Sequence, residues 1–131
     1  MSITTAPYGS WKSPVSAQDV ASASSSFNEV RVDAARTNRV YWVESQPSED
    51  GRCVLFSKNL DDNTDDSLVK HTADKKWNVR TAVHEYGDGS YAVYDGVIVF
   101  SNWSDQGLYL IDTNDKEQKA PKRIGECNDK L

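Results

Sequence analysis

The run Ser90-Tyr91-Ala92-Val93-Tyr94-Asp95-Gly96-Val97-Ile98-Val99-Phe100-Ser101 decides the fold class. Two stretches rich in β-branched and aromatic residues flank Asp95-Gly96, a dipeptide that tolerates positive φ and makes a two-residue type-I′ turn. The reading is a hairpin of 90–94 against 97–101, with 97–100 as a fully buried strand. Downstream, Asp105-Gln106-Gly107 turns the chain into Leu108-Tyr109-Leu110-Ile111-Asp112, and a polar connection over 116–122 leads to Ile124. Upstream, Val30-Arg31-Val32-Asp33 alternates with period two, and Val40-Tyr41-Trp42-Val43 is a compact run. Glu49-Asp50-Gly51 is a turn before a strand centred on Cys53-Val54-Leu55-Phe56. The acidic stretch Asp61-Asp62-Asn63-Thr64-Asp65-Asp66 reads as a solvated loop, and Leu68-Val69 as a short last strand.

The two halves resemble each other. Val40-Tyr41-Trp42-Val43-Glu44-Ser45 matches Val97-Ile98-Val99-Phe100-Ser101-Asn102, and after a one-residue gap Gly51 matches Gly107 and Val54-Leu55 matches Leu110-Ile111. The period is 56 to 57 residues. Four short strands per period, joined by tight turns, predict propeller-type blades. The expected architecture is all-β, about two four-stranded antiparallel blades forming a partial β-propeller. Residues 1–26 form an extended N-terminal arm, 27–124 the blades (about 27–72 and 81–124), and 125–131 a tail. Within the arm, Ser16 as N-cap and Asp19 three residues later predict one short helix over 16–23.

Composition narrows the class. The chain has 131 residues, one domain by length, and Leu, Ile, Val and Phe make up only about a fifth of it. Thirteen aromatics supply large buried areas and point to a folded chain with a thin core. The net charge of −5 argues against a nucleic-acid partner. No apolar run reaches the roughly 18 residues of a membrane span, and the first twenty residues lack the pattern of a secretory signal, so a cytoplasmic location is expected. Cys53, mid-strand, reads as a buried small hydrophobe, and Cys127 as the more accessible thiol.

A serine hydrolase needs a nucleophile on a G-x-S-x-G elbow, and Gly87-Asp88-Gly89-Ser90-Tyr91 has the wrong order and leads into a strand. His84-Glu85 has no second histidine four positions on, as a zinc peptidase motif requires. His84, Glu85 and Tyr86 read first as structural hydrogen-bonders, with a role as an interaction loop as the functional alternative. His71 is expected at the surface, at the end of a strand. The acidic loop has Asp66 where a calcium loop has Gly and Thr72 where it has Glu. Asn102-Trp103-Ser104 fits a glycosylation pattern, which carries no weight without a signal peptide. Trp42, Trp77, Trp103, Tyr91 and Tyr94 could form a sugar-stacking surface, though strand aromatics more often pack between blades. No catalytic residue, cofactor site or metal site is assigned.

Four segments carry a family resemblance: Ala6-Pro7-Tyr8-Gly9-Ser10-Trp11-Lys12-Ser13-Pro14, Val40-Tyr41-Trp42-Val43-Glu44-Ser45-Gln46-Pro47-Ser48-Glu49, Asn78-Val79-Arg80-Thr81-Ala82-Val83-His84-Glu85-Tyr86-Gly87 and Val99-Phe100-Ser101-Asn102. Together they resemble the N-terminal β-propeller segment of a prolyl-oligopeptidase-family serine peptidase, in the dipeptidyl- and acylaminoacyl-peptidase-like branch. Asp88 departs from the family pattern, which favours another Gly there. The resemblance implies a propeller that caps an α/β-hydrolase domain and restricts access to it. Family members run to several hundred residues, so the expectation is a fragment truncated before the hydrolase domain and inactive as an isolated chain. The alternative is an independent protein- or carbohydrate-binding β module. Self-association or a hydrolase domain are the partners expected. An incomplete ring would leave apolar faces near Tyr41, Val43, Val97 and Val99.

Overall fold

Two antiparallel meanders make up most of the described residues. The structure is a computed structural model and describes residues 5–10, 12–21, 24–83 and 89–125. The first sheet runs β1 (Ser26–Asp33), β2 (Arg36–Gln46), β3 (Arg52–Asn59) and β4 (Val69–Lys70), in that order across the sheet. The second runs β5 (Tyr91–Tyr94), β6 (Val97–Ser101), β7 (Leu108–Asp112) and β8 (Lys122–Ile124). The fold is therefore mostly β, two four-stranded blades without a closed ring. Among the described residues there is one α-helix, α1 (Ala17–Ala21), and it has the cap its sequence specifies. Ser16 Oγ accepts the Asp19 amide at 3.0 Å, and the Asp19 carboxylate accepts the Ser16 amide at 2.8 Å.

Turn chemistry sets the registers. Asp95 and Gly96 both have positive φ, 48° and 74°, and Tyr94 pairs with Val97 across them, as in a type-I′ hairpin. Asp50 and Gly51, also left-handed, return β2 into β3. In β1 the ladder slips between Asn28 and Arg31, where Glu29 takes φ 46°. This bulge turns Glu29 out of its own sheet and toward the second one. The Ser90 amide donates to its carboxylate at 2.9 and 3.0 Å, and the Tyr91 hydroxyl donates to its carbonyl at 2.6 Å.

The core lies between the sheets. Tyr41, Val43 and Leu55 of the first sheet meet Tyr91, Ile98 and Phe100 of the second, with Trp77 and Val79 from the connecting segment closing the cluster. Burial of a side chain such as Leu55, Ile98 or Phe100 contributes about 1.5–3 kcal/mol. Trp77 meets Phe100 and Tyr109 edge-on, with centroids 5.9 and 4.7 Å apart. Residues 97–100 are buried on one face only: Ile98 and Phe100 are sealed, whereas Val97 and Val99 are half-buried on the other side. Tyr41 and Val43, expected near an uncovered face, are instead inside this core.

The internal match also shifts. Blades stacked in a ring present opposite faces to a shared interface, yet Tyr41 and Ile98, paired by the match, point into the same core. The match thus slips by one residue, which in a strand exchanges the two faces. Its third-strand part fails separately: Leu55 lies across from Val43, while Tyr109, not Ile111, lies across from Phe100.

Polar pins reinforce the apolar contact. Asp33, fully buried at the end of β1, accepts the amides of Asp95 (2.9 Å) and Gly96 (2.8 Å) from the other sheet, and of Ala35 (3.0 Å) from its own. Burial pushes its carboxyl up, but these donors and Arg36 outweigh it and hold it below the usual range. Arg36 spans the same gap, bonding the Asp95 carboxylate at 3.0 Å and the Asn114 side chain. At the opposite end the connecting chain is stitched to both sheets: Val79 N donates to Cys53 O (2.9 Å), Arg80 N to Ser101 O (3.2 Å), and Trp103 N to Asn78 O (2.8 Å). Arg52 is buried beneath it and donates to the carbonyls of Thr72 (2.9 Å) and Trp77 (2.8 Å) and to Glu49 (2.6 Å).

Candidate functional site

The β1 bulge and the connecting chain open a cleft of about 650 Å³ between the sheets, lined by Glu29, Ser45, Cys53, Arg80, Thr81 and Ser90 among others. Each group is held by its element. Glu29 is aimed by the bulge, Ser90 precedes β5, Cys53 sits in β3, and Arg80 follows the Val79–Asn102 bridge. The Arg80 guanidinium lies over the Trp103 ring, 4.5 Å from its centroid, so its position is fixed by a cation–π contact.

These groups suit binding better than bond-breaking. No histidine is among the described lining residues. Ser90 meets the Glu29 carboxylate through its backbone amide, which donates to both carboxylate oxygens, and not through its hydroxyl. The Cys53 thiol, free and half-buried instead of sealed in the core, is pushed up chiefly by burial; at neutral pH it is a thiol and not the nucleophilic thiolate.

A Ser–His pair exists elsewhere, one that no motif in the sequence marks. Ser57 Oγ and His71 Nε2 lie 2.8 Å apart, and the imidazole stacks on Tyr41 with centroids 5.9 Å apart. His71 is thus packed against the first sheet, not displayed at the surface. Its backbone explains the placement: His71 N donates to Leu55 O at 2.9 Å and carries the ring over the β3 edge. Burial drives its pKa down to about 4. Ser57 is fully buried, and among the described residues no carboxylate bonds the ring. The pair lacks substrate access, an orienting acid and an oxyanion hole, so it is a structural contact.

The sequence-derived site residues His84, Glu85 and Tyr86 lie outside the described residues, as does Cys127. The supposed aromatic platform does not assemble. Trp77 and Tyr91 are core residues, Trp42 stacks on Phe56 on the far face of the first sheet, Tyr94 lies on the far face of the second, and Trp103 stands under Arg80. In the acidic loop, Asp61 accepts the Asn38 side chain and Asp62 accepts Thr64 N and Oγ1, so both are engaged in shaping the turn.

No protein-family model and no curated protein matches the chain. Solved structures do. A Mycobacterium tuberculosis puromycin-hydrolysing peptidase is 35% identical with a TM-score of 0.68. A puromycin hydrolase is 31% identical with a TM-score of 0.73, and its serine-to-alanine mutant complexed with PGG gives 31% and 0.72. The chain resembles a propeller segment of the prolyl-oligopeptidase family. In each comparison 93% of this chain is covered, and it spans 18% of the length of the peptidase. The likeness lies in the N-terminal region of these prolyl-oligopeptidase-family proteins. It accounts for the geometry seen here: each β meander is a blade, and the inner strands β1 and β5 are neighbours along the shared edge. Among the described residues no helix is long and apolar enough to cross a membrane.

Proposed function

We propose that the chain is a non-catalytic propeller segment of a prolyl-oligopeptidase-like serine peptidase, whose task is to restrict access to a hydrolase site. One observation carries this reading: 93% of the chain follows a stretch of puromycin-hydrolysing peptidases that amounts to 18% of their length. The described residues add support, because in the inter-sheet cleft Ser90 meets Glu29 through its amide and not its hydroxyl, and Ser57 of the Ser57–His71 pair is fully buried. In this role the cleft contributes polar wall, with Glu29 and Arg80 held in place by Ser90 and Trp103. Activity toward aminoacyl amides would reside in a hydrolase domain working beside these blades.

The test is direct. Purified chain is offered chromogenic aminoacyl and prolyl amides, and no turnover above buffer is expected. Turnover that disappears in Ser90→Ala would overturn the non-catalytic assignment. Turnover unchanged by that substitution would direct attention to a contaminating hydrolase.

A further inference from the structure

Two residues of β1, Glu29 and Val30, stand opposite one residue of β2, Trp42: the ladder pairs Asn28 with Val43 and resumes with Arg31 on Tyr41. In this register Phe27 lies across from Glu44, on the face turned away from the second sheet, and is 68% exposed. Glu29 bears the backbone cost of the extra residue, with φ 46° in the left-handed region. What offsets that cost comes from the second sheet. Both carboxylate oxygens of Glu29 accept the Ser90 amide, and its carbonyl accepts the Tyr91 hydroxyl, which also reaches Tyr41 O at 3.0 Å. The Arg31 side chain, 3.8 Å from the same carboxylate, lies over the Tyr91 ring. The bulge in β1 is thus held by its neighbour sheet and not by its own ladder.

We propose that the start of β1 is a two-position strap over the inter-sheet cleft. With Glu29 latched to Ser90 and Tyr91 the cleft is open; with the latch released, residues 26–28 slip by one place and Phe27 plugs it. The geometry of the second position follows from the first. If Arg31 stays on Tyr41 and the extra residue is absorbed, Val30 pairs with Trp42, Glu29 with Val43, Asn28 with Glu44 and Phe27 with Ser45. A slip of one residue exchanges the two faces. Phe27 then joins the row of Ser45 and Cys53, which lie across from each other and line the cleft. Ser45 is small, so a phenyl ring laid across it enters the open volume of about 650 Å³ beside Val43 and Val79. The open position keeps the bonds to Ser90 and Tyr91; the closed one relieves the left-handed residue and covers an exposed aromatic ring. The slip also replaces Asn28 by Phe27 on the cleft wall, turning a polar lining apolar.

Alkylation of Cys53 by N-ethylmaleimide in the full chain, read by mass spectrometry of the peptide that carries it, reports access to the cleft. Its rate follows the fraction of molecules in which the cleft is open. Glu29→Ala removes both carboxylate bonds and keeps the left-handed cost, so alkylation is expected to slow about tenfold, the change from a largely open population to one that is open about a tenth of the time. Tyr91→Phe keeps the ring and removes one bond, and is expected to slow it less. Adding Phe27→Ala to Glu29→Ala removes the plug and is expected to restore the native rate. Cross-strand contacts by NMR read the register itself: Phe27 beside Glu44 in the native chain, beside Ser45 in Glu29→Ala. Circular dichroism melting shows which variants stay folded, and Tyr91→Phe, which leaves the core packing intact, decides the matter if Glu29→Ala does not fold. Faster alkylation in a folded latch variant would overturn the proposal, because it marks a loosened wall and not a closed cleft. So would an unchanged rate, a slowing that Phe27→Ala fails to reverse, or Phe27 beside Glu44 in every variant.

Discussion

Among the described residues the His71 ring meets the Ser57 hydroxyl and the Tyr41 ring, and burial there, with the Arg39 charge nearby, holds the imidazole uncharged down to about pH 4. An unfolded chain takes up that proton near pH 6.5, so between these values the unfolded state binds more protons and stability falls as pH falls. A drop from 6.5 to about 4 corresponds to about 3 kcal/mol, fully lost below pH 4. Asp33 acts in a lower window. Its carboxyl is held below the usual range, so its contribution persists above that range and is lost only as pH falls through the depressed value. Urea denaturation from pH 7 to 4.5 should therefore show a falling midpoint for the native chain and a nearly flat one for His71→Gln. Equal slopes in the two proteins would show that another group carries the proton linkage. Neither residue could be read from the sequence. A histidine after two exposed strand residues has the pattern of a surface position, and only the backbone bond to Leu55 brings it inward. An aspartate ending a strand reads as a turn residue, and its buried role depends on amides 62 and 63 positions away.

Among the elements, the hairpins were legible because their turns are written in residue type. Asp95-Gly96 and Asp50-Gly51 both carry left-handed backbone, and the registers that follow are fixed by it. The two glycines differ in surroundings. A Cβ on Gly51 (φ 73°) would have no heavy atom nearer than Ser45 Oγ at 3.9 Å, whereas one on Gly96 (φ 74°) would meet Thr113 Oγ1 at 2.6 Å and Arg36 Nη1 at 2.7 Å. Gly51→Ala should thus lose only the left-handed penalty, about 1–2 kcal/mol. Gly96→Ala should lose that and disturb the Arg36 contacts to the second sheet as well. Chemical denaturation should rank Gly96→Ala as the less stable; the reverse order would mean that the Arg36 bridge contributes nothing. The β1 bulge was not legible, since no propensity marks a glutamate for positive φ, and its cause is a distant amide, Ser90 N. The repeat was legible in composition but slipped by one residue, because both faces of these strands are apolar and alternation no longer distinguishes them.

For the molecule as a whole, the two sheets form one unit: a shared aromatic and aliphatic core, the Asp33 and Arg36 pins at one end, and the stitched connecting chain at the other. That arrangement matches what stacked blades require, in line with the likeness to a stretch of puromycin-hydrolysing peptidases. The composition pointed to a thin core and the tight-turned repeat to blades, while the cleft depended on a bulge that no propensity marks and on the path of the connecting chain, which residue types alone do not set. The role we propose for these two blades is that of propeller wall for a hydrolase site. Its most direct test is to replace the matched stretch of a puromycin-hydrolysing peptidase with this chain and compare hydrolysis of a short aminoacyl amide with cleavage of a long unfolded polypeptide. The account predicts a chimera that hydrolyses the amide within about tenfold of the parent, about 1.4 kcal/mol in barrier, and leaves the polypeptide intact. A folded chimera that is inactive on the amide, or that cuts the polypeptide as readily, would contradict it.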